Sequence, residues 1–156
     1  MIQAVNELIE QYPNLTCYIA GDGEERDTLQ NLISNNNLEK HCKLLGFLSN
    51  EELPVWLNAS DLFVLPSLAE GNPTVMFEAL GCGKPFIGTN VGGIPDVINS
   101  DDYGYICNPD SVSELVDIIK KGIDKDWDSN KIHVYSRQFT WDNISNKLVK
   151  IYDRVK

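Results

Sequence analysis

The sequence is poor in the groups that most often bind metal or carry acid-base chemistry, with 2 histidines, 4 cysteines, and 13 Lys and Arg against 23 Asp and Glu. Cys17, Cys42, Cys82 and Cys107 are scattered, with no Cys-x-x-Cys pair and no histidine cluster beside them. That spacing argues against a zinc site and a disulfide framework, and leaves reduced, mostly buried thiols. His41 and His133 have no partner at ligand or triad spacing and read as surface residues. A formal net charge of -10 opposes attraction to nucleic acid or to an anionic membrane, both of which need clustered cations. No apolar run approaches the ~18 residues of a membrane span. The opening MIQAVNELIEQYPN lacks the basic and apolar regions of a secretory signal, so a cytoplasmic location is expected.

What the sequence does contain suits one domain over 1–156: 42% of its residues are hydrophobic, enough for a real core. Ile2, Val5, Leu8, Ile9 and Tyr12 recur at helical spacing before Pro13, and the apolar run LTCYIA follows, ending in Gly21-Asp22-Gly23. A helix from Glu24 to about Asn35 leads to the strand KLLGF. Ser49 then stands at an N-cap position with Glu52 three residues on, the pattern of a capping box. DLFVLPS and PFIGT read as buried strands on either side of an apolar helix, and a short helix around Pro95 to Ile98 precedes the last strand, GYICNP.

The remainder is helical, with Ser111 capping a segment that carries Leu115, Val116, Ile118 and Ile119. From Trp141 onward, Ile144, Leu148, Ile151, Tyr152 and Val155 mark an apolar stripe. Trp56, Trp127 and Trp141 are expected to fill contacts between helices. Apolar strands alternating with helices predict a Rossmann-like, doubly wound, mostly parallel sheet covered on both faces. In such sheets ligands gather beyond the carboxyl ends of the strands, here followed by Gly21-Asp22-Gly23, Gly46-Phe47-Leu48, Pro66-Ser67 and Thr89 to Gly93.

The stretch PSLAEGNPTVMFEALGCGKPFIGTN holds the clearest candidate site. Asn72 is expected to cap the helix and Pro73 to occupy its first position, so that the amides of Thr74 and Val75 form a seat for phosphate. Glu78 lies a rise of roughly 6 Å past Thr74, and helical side chains lean back toward the N-terminus, which hangs its carboxylate beside that seat. A carboxylate there matches the paired hydroxyls of a ribose, while Glu70 on the preceding loop faces whatever the diphosphate carries. Two glutamates alone would do no more than complement a helix dipole and solvate a surface. Their setting, a strand-turn-helix junction among similar strand ends, points to a ligand instead.

This stretch resembles the E-x7-E signature of the retaining, nucleotide-sugar-dependent group 1 glycosyltransferases, whose two-domain architecture is called GT-B. YIAGDGEERDTLQNLI, KLLGFLSNEELPVWLNASDLFVLPS and FTWDNISNKLVKIYDRV resemble successive blocks of the family's C-terminal, donor-binding domain. The resemblance implies that Glu70 contacts the donor sugar near the reacting carbon and that Glu78 binds the ribose. Gly71, Asn72, Thr74 and Val75 would lie along the sugar and diphosphate, and the backbone of Leu48 would border the base. It implies transfer from a nucleoside-diphosphate sugar to an acceptor hydroxyl in glycan or polysaccharide synthesis, with neither metal nor cofactor.

The resemblance also implies that a first strand, two diphosphate-clamping cations and an acceptor-binding N-terminal domain lie ahead of Met1. The glycan or lipid-linked acceptor would bind through that domain, and the full-length enzyme would sit at most at the periphery of the inner membrane. Lys84, past the opposite end of the helix, reads as a capping or surface residue. Without the first strand the sheet would close by re-pairing or by borrowing an edge from a second copy, giving a homo-oligomer. Two other readings stay in view. One is a non-catalytic nucleotide-binding or interaction subunit that needs a separate acceptor-domain partner. The other, a flavodoxin-like signalling domain, lacks the expected acidic cluster after its first strand.

Overall fold

A computed structural model describes the backbone of residues 1–155; the Val155 side chain and Lys156 lie outside the described residues. In chain order the elements are α1 (Ile2–Leu8), β1 (Cys17–Ala20), α2 (Arg26–Asn35), β2 (Cys42–Gly46), α3 (Leu53–Ala59), β3 (Phe63–Leu65) and α4 (Thr74–Gly81). Then come β4 (Phe86–Thr89), α5 (Ile94–Val97), β5 (Gly104–Cys107), α6 (Val112–Asp124), α7 (Ser129–Ser136), a 3-10 turn (Arg137–Phe139) and α8 (Trp141–Val155). The alternation of strand and helix is the predicted one, and every strand pair is parallel.

Local chemistry explains most boundaries. The reciprocal bonds of the capping box form, the Ser49 amide donating to Glu52 Oε2 at 2.9 Å and the Glu52 amide to Ser49 Oγ at 3.2 Å, but they close a turn ahead of α3, whose capping position is Glu52 and not the expected Ser49. Hydrogen bonding from Ser49, its backbone amide first, holds the Glu52 carboxyl below the usual carboxylate range. Ser111 caps α6 by accepting from the Glu114 amide at 3.3 Å. α1 stops at Leu8, short of the expected Tyr12, although the Tyr12 amide still bonds the Leu8 carbonyl at 2.8 Å in a last loose turn. α7, not separable from sequence, is capped by Asp128, which accepts from the Lys131 amide at 2.9 Å.

The sheet comes in two parts, β1-β2 and β3-β4-β5. β4 is central in its sheet, and all four of its residues are buried. The residues of β3 are only half-buried, and those of β1 alternate between half-buried and exposed. Helix α1 spans the break: Ala4 and Leu8 pack with Ile87, Leu115 and Ile119, whereas Ile2 and Val5 pack with Ile33, Leu38 and Cys42. One short helix thus joins the two cores through two neighbouring faces.

Some side chains lie where sequence did not put them. His41 and His133 are half-buried rather than on the surface, and their Nδ1 atoms hydrogen-bond the carbonyls of Leu15 at 2.8 Å and Gly81 at 2.6 Å. Trp127 is half-buried, meets Tyr105 of β5 edge-on with ring centroids 5.5 Å apart, and donates to the Gly122 carbonyl at 2.8 Å. Trp56 packs on Tyr18 of β1 rather than between helices, with ring centroids 5.0 Å apart. Trp141 is 85% exposed, because among the described residues α8 packs closely only on the preceding 3-10 turn and leaves Trp141, Ile151 and Tyr152 uncovered. All four cysteines are free; Cys42 and Cys107 are buried, and Cys17 and Cys82 partly so. No helix among the described residues is long and apolar enough to cross a membrane.

Among the described residues β1 pairs only with β2, and β3 only with β4, so each keeps one strand edge unpaired. The Cys17 amide donates to His41 and the Phe63 amide to Pro85, and alternation along a parallel strand turns the Tyr18, Ala20 and Val64 amides to the open edges. In hydrogen-exchange NMR we expect Tyr18, Ala20 and Val64 to exchange about 100-fold faster than Cys17, Phe63 and Phe86. Equal protection would show that a strand or another copy covers those edges.

Candidate functional site

Two loops at the carboxyl ends of β3 and β4 meet around Glu70. The Gly93 amide donates to the Gly71 carbonyl at 2.7 Å, and the Thr89 hydroxyl donates to the Ser67 carbonyl at 2.6 Å. Between these ties, Ser67 Oγ donates to Glu70 Oε1 at 2.7 Å. Gly92 has φ of 55, and a Cβ there would overlap the carbonyl oxygens of Glu70 and Gly71. Only glycine combines that conformation with that approach. The structure therefore gathers Glu70, Gly71 and Asn72 from one loop and Thr89 to Gly93 from the other.

The start of α4 differs from expectation. The capping position belongs to Pro73, buried and extended at φ -67 and ψ 119, and not to Asn72. Asn72 instead turns its side-chain oxygen toward Gly93, whose lack of a Cβ leaves room for it. The correction keeps the free amides in place. Thr74 and Val75 are the first helical residues, no side chain caps them, and the first backbone bond runs from the Met76 amide to the Pro73 carbonyl at 3.2 Å.

Glu78 is exposed on α4, on the same helical face as Thr74, which lies one turn earlier. Its carboxylate makes no hydrogen bond or ion pair among the described residues. Leu48 is half-buried after β2, in the other sheet, and no described hydrogen bond joins it to the Glu70 cluster. Lys84 donates to the Asn58 carbonyl at 3.0 Å and so caps the end of α3, a capping role as expected but for a different helix. A separate hollow of about 230 Å3 opens at the ends of β1 and β2, lined by Gly21, Asp22, Arg26 and Leu44 among others. Arg26 there lies 3.9 Å from Asp22, a cation at the strand ends that sequence reading did not single out.

Comparison with known proteins agrees with this architecture. The family model described as glycosyl transferases group 1 matches residues 1–139. The chain belongs to that family. It is 30% identical to a subunit of the human phosphatidylinositol N-acetylglucosaminyltransferase, over 97% of this chain and 32% of that protein. Among solved structures it superposes on Anabaena HepE in complex with UDP at a TM-score of 0.81 and 25% identity, covering 97% of this chain and 44% of HepE. It also matches the C-terminal domain of the group 1 protein LpcC from Francisella tularensis at a TM-score of 0.70 and 25% identity, covering 94% of this chain and 76% of that one. The fold is that of the C-terminal half of a GT-B glycosyltransferase, and this group 1 chain spans less than half the length of its human relative and of HepE.

The glycine contact is testable directly. Gly92→Ala should lower unfolding stability by about 2 kcal/mol in urea titration, through left-handed strain and overlap with the Glu70 carbonyl. Gly71→Ala, with nothing within 4 Å of its new methyl, should stay within about 0.5 kcal/mol. Equal effects would mean that the two loops do not meet as described.

Proposed function

We propose that this group 1 chain binds a nucleoside-diphosphate sugar and is the donor half of a retaining glycosyltransferase. The observation that carries the reading is the uncapped start of α4 beside a fixed Glu70. The amides of Thr74 and Val75 form an electropositive end suited to the diphosphate, and Glu78, one turn on, suits the ribose hydroxyls. Glu70 and the Gly71-Asn72 backbone face the sugar, and Leu48 borders the base. That HepE was solved with UDP supports a uridine nucleotide, and the human relative's name supports N-acetylglucosamine as a first sugar to try.

In the proposed reaction the bond from the anomeric carbon to the diphosphate oxygen breaks, and a bond from that carbon to the acceptor oxygen forms on the same face. Negative charge grows on the departing diphosphate, and preorganised helix-end amides stabilise it without requiring a metal or other cofactor. The acceptor proton passes to the leaving phosphate. Glu70 acts by position and charge and not as a general base. The glycan or lipid-linked acceptor is assigned to a further domain, because the chain covers only 32% of its human relative. That relative is one subunit of its enzyme by name, which favours action with a partner polypeptide over action alone.

Calorimetric titration with UDP, GDP and ADP tests the site. We expect UDP to bind, and Glu78→Ala to weaken it by about 10-fold through loss of a charged hydrogen-bond acceptor. Absence of binding by all three nucleotides, or undiminished binding to Glu78→Ala, would overturn the assignment.

A further inference from the structure

Thr89 is the only polar residue among the buried ones described, 3% exposed at the end of β4. A buried hydroxyl left without a partner costs about 1–3 kcal/mol, so what it bonds is informative. Its partner is the carbonyl of Ser67, at 2.6 Å, and Ser67 in turn donates its hydroxyl to Glu70 Oε1 at 2.7 Å. The register that pairs Leu65 with Gly88 brings these two strand ends side by side.

We propose that Ser67 and Thr89 are positioning residues that fix the Glu70 carboxylate and thereby set the preference for a nucleoside-diphosphate sugar over the bare nucleoside diphosphate. The second half of this statement rests on the donor-site reading above; the first half does not. Glu70 is half-buried on a loop, and its side chain has three rotatable bonds. Freed from Ser67, its carboxylate spreads over several rotamers, and each productive contact then has to reorder it. Thr89 acts one step further back, holding the Ser67 backbone so that the hydroxyl points at Glu70. The second tie, from the Gly93 amide to the Gly71 carbonyl at 2.7 Å, closes the loop on the far side of Glu70.

A plainer account is available, because serine side chains often bond groups a few residues away and stabilise loops with no further role. The two accounts differ in what they expect. A merely structural Ser67 weakens every ligand equally when removed. A positioning Ser67 affects only the ligand that reaches Glu70.

The test uses Ser67→Ala and Thr89→Val, with Ser67→Thr and Thr89→Ser as hydroxyl-keeping counterparts, all in the whole 156-residue chain. Calorimetry compares UDP with UDP-N-acetylglucosamine, and a crystal structure of unliganded Ser67→Ala locates the Glu70 carboxylate. Ser67→Ala and Thr89→Val should weaken the sugar nucleotide by about 3- to 10-fold and leave UDP within about twofold, with both counterparts near the original affinity. The Glu70 carboxylate should leave its position in the Ser67→Ala crystal. Equal loss for both ligands, failure of the counterparts to recover, or an unmoved Glu70 overturns the proposal. If no nucleotide binds even the unaltered chain, the donor-site reading fails, and the crystal comparison still decides whether Ser67 fixes Glu70. Should Thr89→Val not fold, Ser67→Ala, at a half-buried loop position, decides alone.

Discussion

The candidate site depends on a close approach of two backbones. Gly92 and Gly93, past the end of β4, lie against the carbonyls of Glu70 and Gly71, past the end of β3. A side chain at Gly92 would push the loops apart and release Glu70, which is held by Ser67, which is held by Thr89. Beneath them is β4, fully buried and paired on both edges. In the proposed reading the uncapped start of α4 seats the anion, with Glu70 braced by Ser67 on the loop before it and Glu78 unbonded one turn into the helix.

Much of the fold could be read from the residues. Continuous apolar runs such as PFIGT gave buried strands, and the Ser49-Glu52 pairing and the Ser111 cap were legible because they depend on neighbours a few residues apart. What escaped was long-range. Asn72 and Pro73 both satisfy local rules for a helix start, and the neighbour that the Asn72 side chain turns toward, Gly93, is distant in sequence. α7 buries only Ile132, too weak a pattern to mark its limits. The tie from Thr89 to Ser67 spans 22 positions, and nothing in either residue type announces it.

The division of the sheet has a similar cause. Apolar strands say that a parallel sheet forms, but not which edges meet, and β1 and β3 each keep one edge unpaired among the described residues. Their half-exposed residues contrast with buried β4, and α1 joins the parts by packing into both cores. Helix α8 likewise leaves an apolar stripe uncovered among the described residues.

The central claim is that a sugar nucleotide lies across the start of α4. Crystals of the chain grown with UDP-glucose test this most directly. The account expects the diphosphate on the Thr74 and Val75 amides, the ribose hydroxyls at Glu78 and the glucose at Glu70. Density for the nucleotide elsewhere, such as the hollow beside Arg26, or a vacant helix start with Glu78 turned to solvent, would contradict it.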